Sequence, residues 1–208
     1  MSLKPNIYKA LLLLLLVFLN SWLWTIQKTN FLVFLLLILS AFFLSKPKYK
    51  KITIFLFFLL FIFQYQTTKI TDYSALSPLE LDSQQQRLNY YPPSKIPLAW
   101  WLEGRPEPRV FYLLKQNLFS ALDQNTYFFA YHPRQDNSMD IYPKFSFILL
   151  PFFLLGLFRL IKYKQKFILV LSAFFPLLLL TLIGHQNPLG SFSLFPFIII
   201  SIHRGIFK

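Results

Sequence analysis

The residues of this chain that could do chemistry lie in two short polar segments. Asp123 is followed nine residues later by His132-Pro133-Arg134, and His185 lies in a second polar segment, residues 184–188. An arginine can anchor a phosphate group through paired hydrogen bonds, and a histidine can act as general acid or base. If these segments meet, Asp123, His132, Arg134 and His185 are the candidate catalytic residues for a lipid-linked phosphate.

The same residues also fit purely structural roles, and this is the interpretation we favour. Asp123 and Asn125 follow a helical pattern, where capping residues are common, and a His-Pro pair is typical of a turn. Glu80 and Asp82 are spaced like the metal-binding acids of multi-span glycosyltransferases, but residues two apart on a helix face different directions. Three histidines without helical pairing do not predict a metal site, and no cofactor is expected.

Six apolar runs are the elements that must position any such site. They cover residues 10–26, 31–45, 52–65, 145–161, 167–183 and 191–202. Runs of this length and composition predict membrane-spanning helices, although several are shorter than the roughly 20 residues that a span needs. Pro196 interrupts the sixth run, which leaves a re-entrant segment as an alternative. The fold class predicted is an all-α membrane protein with about six transmembrane helices, three on each side of a helical domain.

The distribution of charge predicts the orientation of these spans. All eight acidic residues lie between Asp72 and Asp140, and the segments that alternate along the chain outside this window carry 12 basic residues without an acid. Basic residues favour the cytoplasmic side. Both termini are therefore expected in the cytoplasm, with transmembrane helices in residues 1–65 and 145–208 and an extracytoplasmic domain in 66–144. Basic residues that flank apolar runs argue against a nucleic-acid partner.

The polar middle segment predicts three helices. Ser77-Pro78-Leu79-Glu80 matches a capping box and predicts a helix that ends near Leu88 or Asn89. A second short helix is expected between Ser94 and Gly104, and a third from Pro106 to Leu122, where apolar residues recur with a helical period. Aromatic side chains near a membrane prefer the headgroup layer. The residues predicted at a membrane or partner interface are Trp100, Trp101, Tyr127 and Tyr131.

Several motifs of the middle segment resemble those of small multi-span membrane proteins from uncultivated candidate-phylum bacteria. The motifs are Asn89-Tyr90-Tyr91-Pro92-Pro93, Lys115-Gln116-Asn117-Leu118-Phe119, Leu122-Asp123-Gln124-Asn125, Tyr127-Phe128-Phe129-Ala130 and His132-Pro133-Arg134. These proteins have no assigned activity, so the resemblance implies no catalytic residue. It implies a bacterial membrane protein, and the abundance of Phe, Leu, Ile, Lys and Asn is typical of an AT-rich bacterial genome.

Three functional hypotheses follow. The first is a non-enzymatic inner-membrane protein that serves envelope biogenesis and contacts the bilayer and a protein partner, or a second copy of itself, through its aromatic outer domain. The second is an enzyme that acts on a lipid-linked sugar or phosphate. The third is a small transporter or flippase component with a polar cavity near Asn20, Ser40 and Ser172, but we favour helix–helix hydrogen bonding for these three residues.

Overall fold

The computed structural model describes residues 5–73, 78–103, 106–129, 144–184 and 186–207, and in these residues it is helical with no strand. The all-α prediction is therefore confirmed for the described part of the chain. The helices are α1 (Pro5–Phe18), α2 (Ser21–Thr29), α3 (Phe31–Leu44), α4 (Lys50–Thr67), α5 (Pro78–Asn89), α6 (Ile96–Glu103), α7 (Pro106–Leu122), α8 (Gln124–Phe128), α9 (Leu150–Lys162), α10 (Lys166–Leu169), α11 (Phe175–Ile183) and α12 (Phe195–Ile206).

The central element of the fold is α12. Its residues are buried almost without interruption from Phe195 to Gly205, and it packs against α9, α3 and α1. Its apolar residues supply much of the buried core. Pro196 occupies the first turn, where a missing N–H breaks no helical hydrogen bond, so the proline starts this helix rather than interrupting it.

Two glycines bring α9 and α12 into backbone contact. A Cβ at Gly156 of α9 would overlap the carbonyl oxygen of Ser201, and a Cβ at Gly205 of α12 would overlap the carbonyl oxygen of Phe152. Small residues spaced four apart let helix backbones approach closely. Ser201 and Gly205 have this spacing on α12, which explains why this helix pair forms the most extensive contact in the fold.

The first apolar run does not form one straight helix. It breaks at Leu19 and Asn20 into α1 and α2, whose axes differ by 60°. The Asn20 side chain accepts a hydrogen bond from the backbone N–H of Leu23 at 3.1 Å and so caps the start of α2. Asparagine competes with the backbone inside helices and is favoured at caps. The continuous helix predicted for residues 10–26 is therefore bent at its one asparagine.

Few of the apolar helices are long enough to cross a membrane on their own. The continuous helix Lys166–Ile183 has 18 residues and is long and apolar enough to cross a membrane, and α1 with α2 adds a second crossing if the bent pair is one span. The 14 residues of α3 reach only about 21 Å. Within Lys166–Ile183, residues Val170–Phe174 form a π-helical turn just before Pro176, which has no N–H for the preceding helical turn.

The helices predicted in the polar middle segment are present. α5 ends at Asn89, and α7 has the predicted bounds from Pro106 to Leu122. The second helix starts slightly later than predicted, because a 3-10 turn (Pro93–Lys95) precedes α6. α5 packs against α6, whereas α7 packs along α11. The middle segment is thus joined to the helical bundle through α7.

Candidate interaction surface and its junction with the helical bundle

Of the four candidate catalytic residues, the structure describes only Asp123. Asp123 is the N-cap of α8, and its carboxylate accepts a hydrogen bond from the backbone N–H of Asn125 at 2.9 Å. The sequence favours a helix-end role for Asp123 after Leu122, and the carboxylate instead caps the start of the following helix. His132, Arg134 and His185 lie outside the described residues, as does Tyr131 of the predicted interface. A shared catalytic pocket therefore stays a prediction.

Large aromatic side chains are exposed on the two helices that follow α5. Trp100 and Trp101 of α6 are 54% and 59% exposed, and Phe111 and Phe119 of α7 are 70% and 59% exposed. We call these four residues the aromatic surface. On α7, Phe111, Lys115, Phe119 and Leu122 recur at helical spacing on the exposed face. An exposed face of this composition is typical of an interface with a membrane or a partner.

The opposite face of α7 is attached to the end of α11 through Asn117. The Asn117 amide nitrogen lies 3.2 Å from the Thr71 hydroxyl and 3.3 Å from the Thr181 carbonyl oxygen, and the residue is buried. The Tyr73 hydroxyl donates to the Leu182 carbonyl at 2.8 Å. Hydrogen bonds from both residues satisfy carbonyls near the end of α11, which otherwise lack helical partners. They also fix α7 against the bundle.

A second junction is built around a buried lysine. Lys144 is 5% exposed, and its ammonium group lies 5.1 Å from the Trp22 ring and 5.6 Å from the Tyr127 ring. Cations are attracted to the faces of aromatic rings, most strongly where water is excluded. Gly190, with a φ of +71°, closes the third side, and a Cβ there would lie 3.0 Å from the ammonium nitrogen. We call this group the Lys144 box.

Hydrogen bonds to and from the backbone hold the Lys144 box in place. The Asn20 amide donates to the Lys144 carbonyl at 2.9 Å, and the Trp22 indole N–H donates to the Leu189 carbonyl at 2.9 Å. The backbone N–H of Phe145 donates to the Tyr127 carbonyl at 2.8 Å. Distant parts of the sequence therefore meet at this point, with the Trp22 ring 5.7 Å from that of Phe195 at the start of α12.

Tyr127, predicted as an interface residue, lies instead in the interior. It is 4% exposed, and its hydroxyl donates to the Ala121 carbonyl at 3.0 Å. Burial raises the pKa of this phenol above its ordinary value, because the charged phenolate is disfavoured away from water. The short helix α8 turns the side chain inward. The sequence shows only a run rich in aromatic residues at 127–131, and such a run does not indicate which of its side chains are buried.

A polar cluster ties α4 to the segment before α12. Gln64 is fully buried; its amide nitrogen donates to the Thr68 hydroxyl at 3.1 Å, and its carbonyl oxygen accepts from the backbone N–H of Ser193 at 3.1 Å. The Asn187 amide donates to the Thr67 and Thr68 hydroxyls. Buried polar groups that satisfy one another rigidify a structure. The hydrogen bonds of this cluster therefore hold the end of α4 against the segment that precedes α12.

Among the described residues, no three His, Asp or Glu side chains come close enough together to hold a metal ion. Ser40 and Ser172 each donate to a carbonyl of their own helix, at 3.0 and 2.6 Å. Comparison of the chain with protein-family models, curated proteins and solved structures finds no match. The function is therefore argued from the geometry alone.

Proposed function

We propose that this chain is a multi-pass protein of the bacterial inner membrane that presents the aromatic surface to a protein partner on the outer side, as an accessory component of envelope biogenesis. The observation that carries the proposal is the apolar exterior of the helical bundle. Phe55 and Phe58 of α4, Phe158 of α9 and Phe31 of α3 are between 56% and 61% exposed. Soluble monomers rarely expose apolar patches larger than a few hundred Å².

The hydrogen bonds between distant segments support the proposed orientation. Arg159 donates through one nitrogen to the carbonyls of Arg204, Gly205 and Phe207, and His203 is 2.9 Å from the Lys9 carbonyl oxygen. All these residues belong to segments expected in the cytoplasm or at its border. We call this the Arg159 end of the bundle.

At the opposite end, two contacts join segments expected outside or at that border, and a third joins the outer segment to Asn20, which lies within the first predicted span. Lys69 donates through its backbone N–H to Gln186, Asn117 contacts Thr181, and Asn20 contacts Lys144. The first two of these contacts and the alternation of charge in the sequence therefore support the same assignment of sides. The short helices fit a bilayer if it thins locally and flanking lysines extend toward the headgroups.

The topology can be tested with single cysteines, since the chain has none of its own. Tyr90 and Gln186 are exposed at positions expected outside, and Lys48 and Lys164 at positions expected in the cytoplasm. In intact spheroplasts, a membrane-impermeant maleimide should label Tyr90→Cys and Gln186→Cys at once. It should label Lys48→Cys and Lys164→Cys only after permeabilisation. Equal labelling of all four, or recovery of the chain in the soluble fraction, would overturn the membrane proposal.

The partner is tested with a photo-crosslinking amino acid placed in the aromatic surface. We expect discrete crosslinked species from Trp100, Phe111 and Phe119, and mass spectrometry identifies the second protein in each. Leu35 and Leu154 are exposed apolar positions on α3 and α9, and they serve as controls that should crosslink to lipid. A monomeric protein without a crosslink from any position of the aromatic surface would contradict partner binding while leaving the topology intact.

A further inference from the structure

An apolar groove runs along the bundle between α4 and the helix Lys166–Ile183. Ile54 lines it from α4, and Phe167, Val170, Leu171 and Phe175 line it from the other helix, with Lys166 at one end. Its volume is about 370 Å³. The groove follows the helix from Lys166 to Phe175, so it is on the order of 13 Å long at the rise of a helix. It extends from the Arg159 end toward the middle of the bundle.

The mouth of this groove is positively charged. Lys50 places its ammonium group 5.6 Å from the centre of the Phe167 ring, and Lys166 is an exposed lining residue of the groove. The acidic residues of the chain all lie between Asp72 and Asp140, so none belongs to the two helices that form the groove. The groove thus combines an apolar channel with a cationic opening, which is the complement of an acyl chain attached to an anionic headgroup.

We propose that this groove binds one acyl chain of an anionic phospholipid of the cytoplasmic leaflet, with the lipid phosphate between Lys50 and Lys166. The inference rests on the proposed function, which puts this end of the bundle at the cytoplasmic membrane surface. The π-helical turn Val170–Phe174 lies on the wall of the groove, and such turns frequently occur at functional sites.

The composition of the groove favours a lipid over a helix of a partner protein. Close packing of membrane helices uses small residues, as Gly156 and Gly205 do between α9 and α12. The groove instead is lined by Phe, Leu, Ile and Val, whose bulky side chains suit a disordered chain. A second apolar groove, between α1 and Phe207, has the same pattern, with Lys9 among its lining residues. An apolar groove with a lysine among its lining residues therefore occurs twice at the Arg159 end of the bundle.

Native mass spectrometry of the full chain in detergent tests the proposal. Phosphatidylglycerol and phosphatidylcholine with identical acyl chains are added separately, and the bound fraction of each is measured. We expect preferential retention of phosphatidylglycerol, and about tenfold weaker retention in Lys50→Gln/Lys166→Gln, because each lysine contributes attraction to an anionic headgroup. Lys48→Gln/Lys162→Gln changes the net charge equally at the same end and should retain the lipid as the unmodified chain does.

A second pair of variants tests the apolar part. Val170→Trp fills the groove without altering its lysines and should lower phosphatidylglycerol retention. Leu178→Trp adds comparable bulk at an exposed position of α11 that does not line the groove and should have no effect. Equal retention of the two lipids, or equal loss in both members of either variant pair, overturns the lipid site. A chain that labels with the proposed topology but shows no lipid preference refutes this inference alone.

Discussion

Gly156 of α9 lies directly against the carbonyl oxygen of Ser201 on α12, with no room between them for a Cβ. Gly205 meets the carbonyl of Phe152 in the same way, so that the two backbones touch at two points about one helical turn apart. This contact determines how closely α9 approaches α12.

Gly156→Ala should therefore separate α9 from α12. We expect the free energy of unfolding to fall by about 3 kcal/mol, the upper range for overpacking, because the obstructing atom belongs to the backbone and cannot rotate away. Thermal unfolding of the purified protein in detergent measures the change. Leu155→Ala alters an exposed neighbour on the same helix and should shift the midpoint far less. Equal shifts of the unfolding midpoint in the two variants would show that α9 and α12 are not in close backbone contact at Gly156.

Arg159 closes the C-terminal end of α12, and its removal should loosen that end. Its guanidinium lies 2.6 to 2.9 Å from three carbonyl oxygens at the helix end, where carbonyls lack later helical residues to bond them. Arg159→Gln should cost about 2 kcal/mol, since hydrogen bonds to charged groups are worth more than neutral ones. Lys162→Gln, an exposed position near the end of the same helix, is the control. Faster hydrogen exchange confined to the last turn of α12 is the expected signature.

Asn20 combines two roles that its neighbour Ser21 does not share. Asn20→Ala removes the cap of α2 and leaves the Lys144 carbonyl without its amide donor. The loss should be about 2 kcal/mol, of which roughly half is the cap. Ser21→Ala changes an exposed residue at the next position and should be nearly neutral. If both variants melt together with the unmodified protein, the bend between α1 and α2 does not depend on Asn20.

Tyr127 makes stability sensitive to alkaline pH. Its pKa is raised by burial above the ordinary value of 10.0, so the folded state holds the proton more tightly than the unfolded state does. This contribution is complete below pH 10 and is lost above it, by about 1.4 kcal/mol per pH unit while only the unfolded phenol is ionised. Tyr127→Phe should unfold at a lower temperature at pH 8 but lose less between pH 10 and 11 than the unmodified protein. If the stabilities of the two proteins fell in parallel above pH 10, Tyr127 would not be the source of the pH dependence.

Local signals in the sequence account for what could be predicted of the fold. The bounds of α7 follow from Pro106 at its start and Asp123 after its end, and the end of α5 follows from the prolines beyond it. The break at Asn20 escapes a sequence-based prediction because one amide hardly changes the average hydropathy of a long apolar run. Pro196 interrupts the apolar pattern but not the helix, since a proline in the first turn is favourable.

Long-range contacts account for what could not be predicted of the candidate site. Lys144 is the last residue of a polar segment in the sequence, and nothing near it indicates that Trp22, Tyr127 and Gly190 surround it. Trp100 and Trp101 are exposed, and their role at an interface stays a prediction. The burial of Tyr127 depends on the packing of α8 against Trp22 of α2.

The position of α12 also has a consequence for biosynthesis. The ribosome makes this helix after every described helix that packs around it, and chains generally fold as they are made. Until α12 emerges, α1, α3 and α9 lack the helix against which all three pack, and the surface of α9 at Gly156 has nothing to pack against. Assembly of the bundle is therefore a late event in which α12 enters among helices that were made before it.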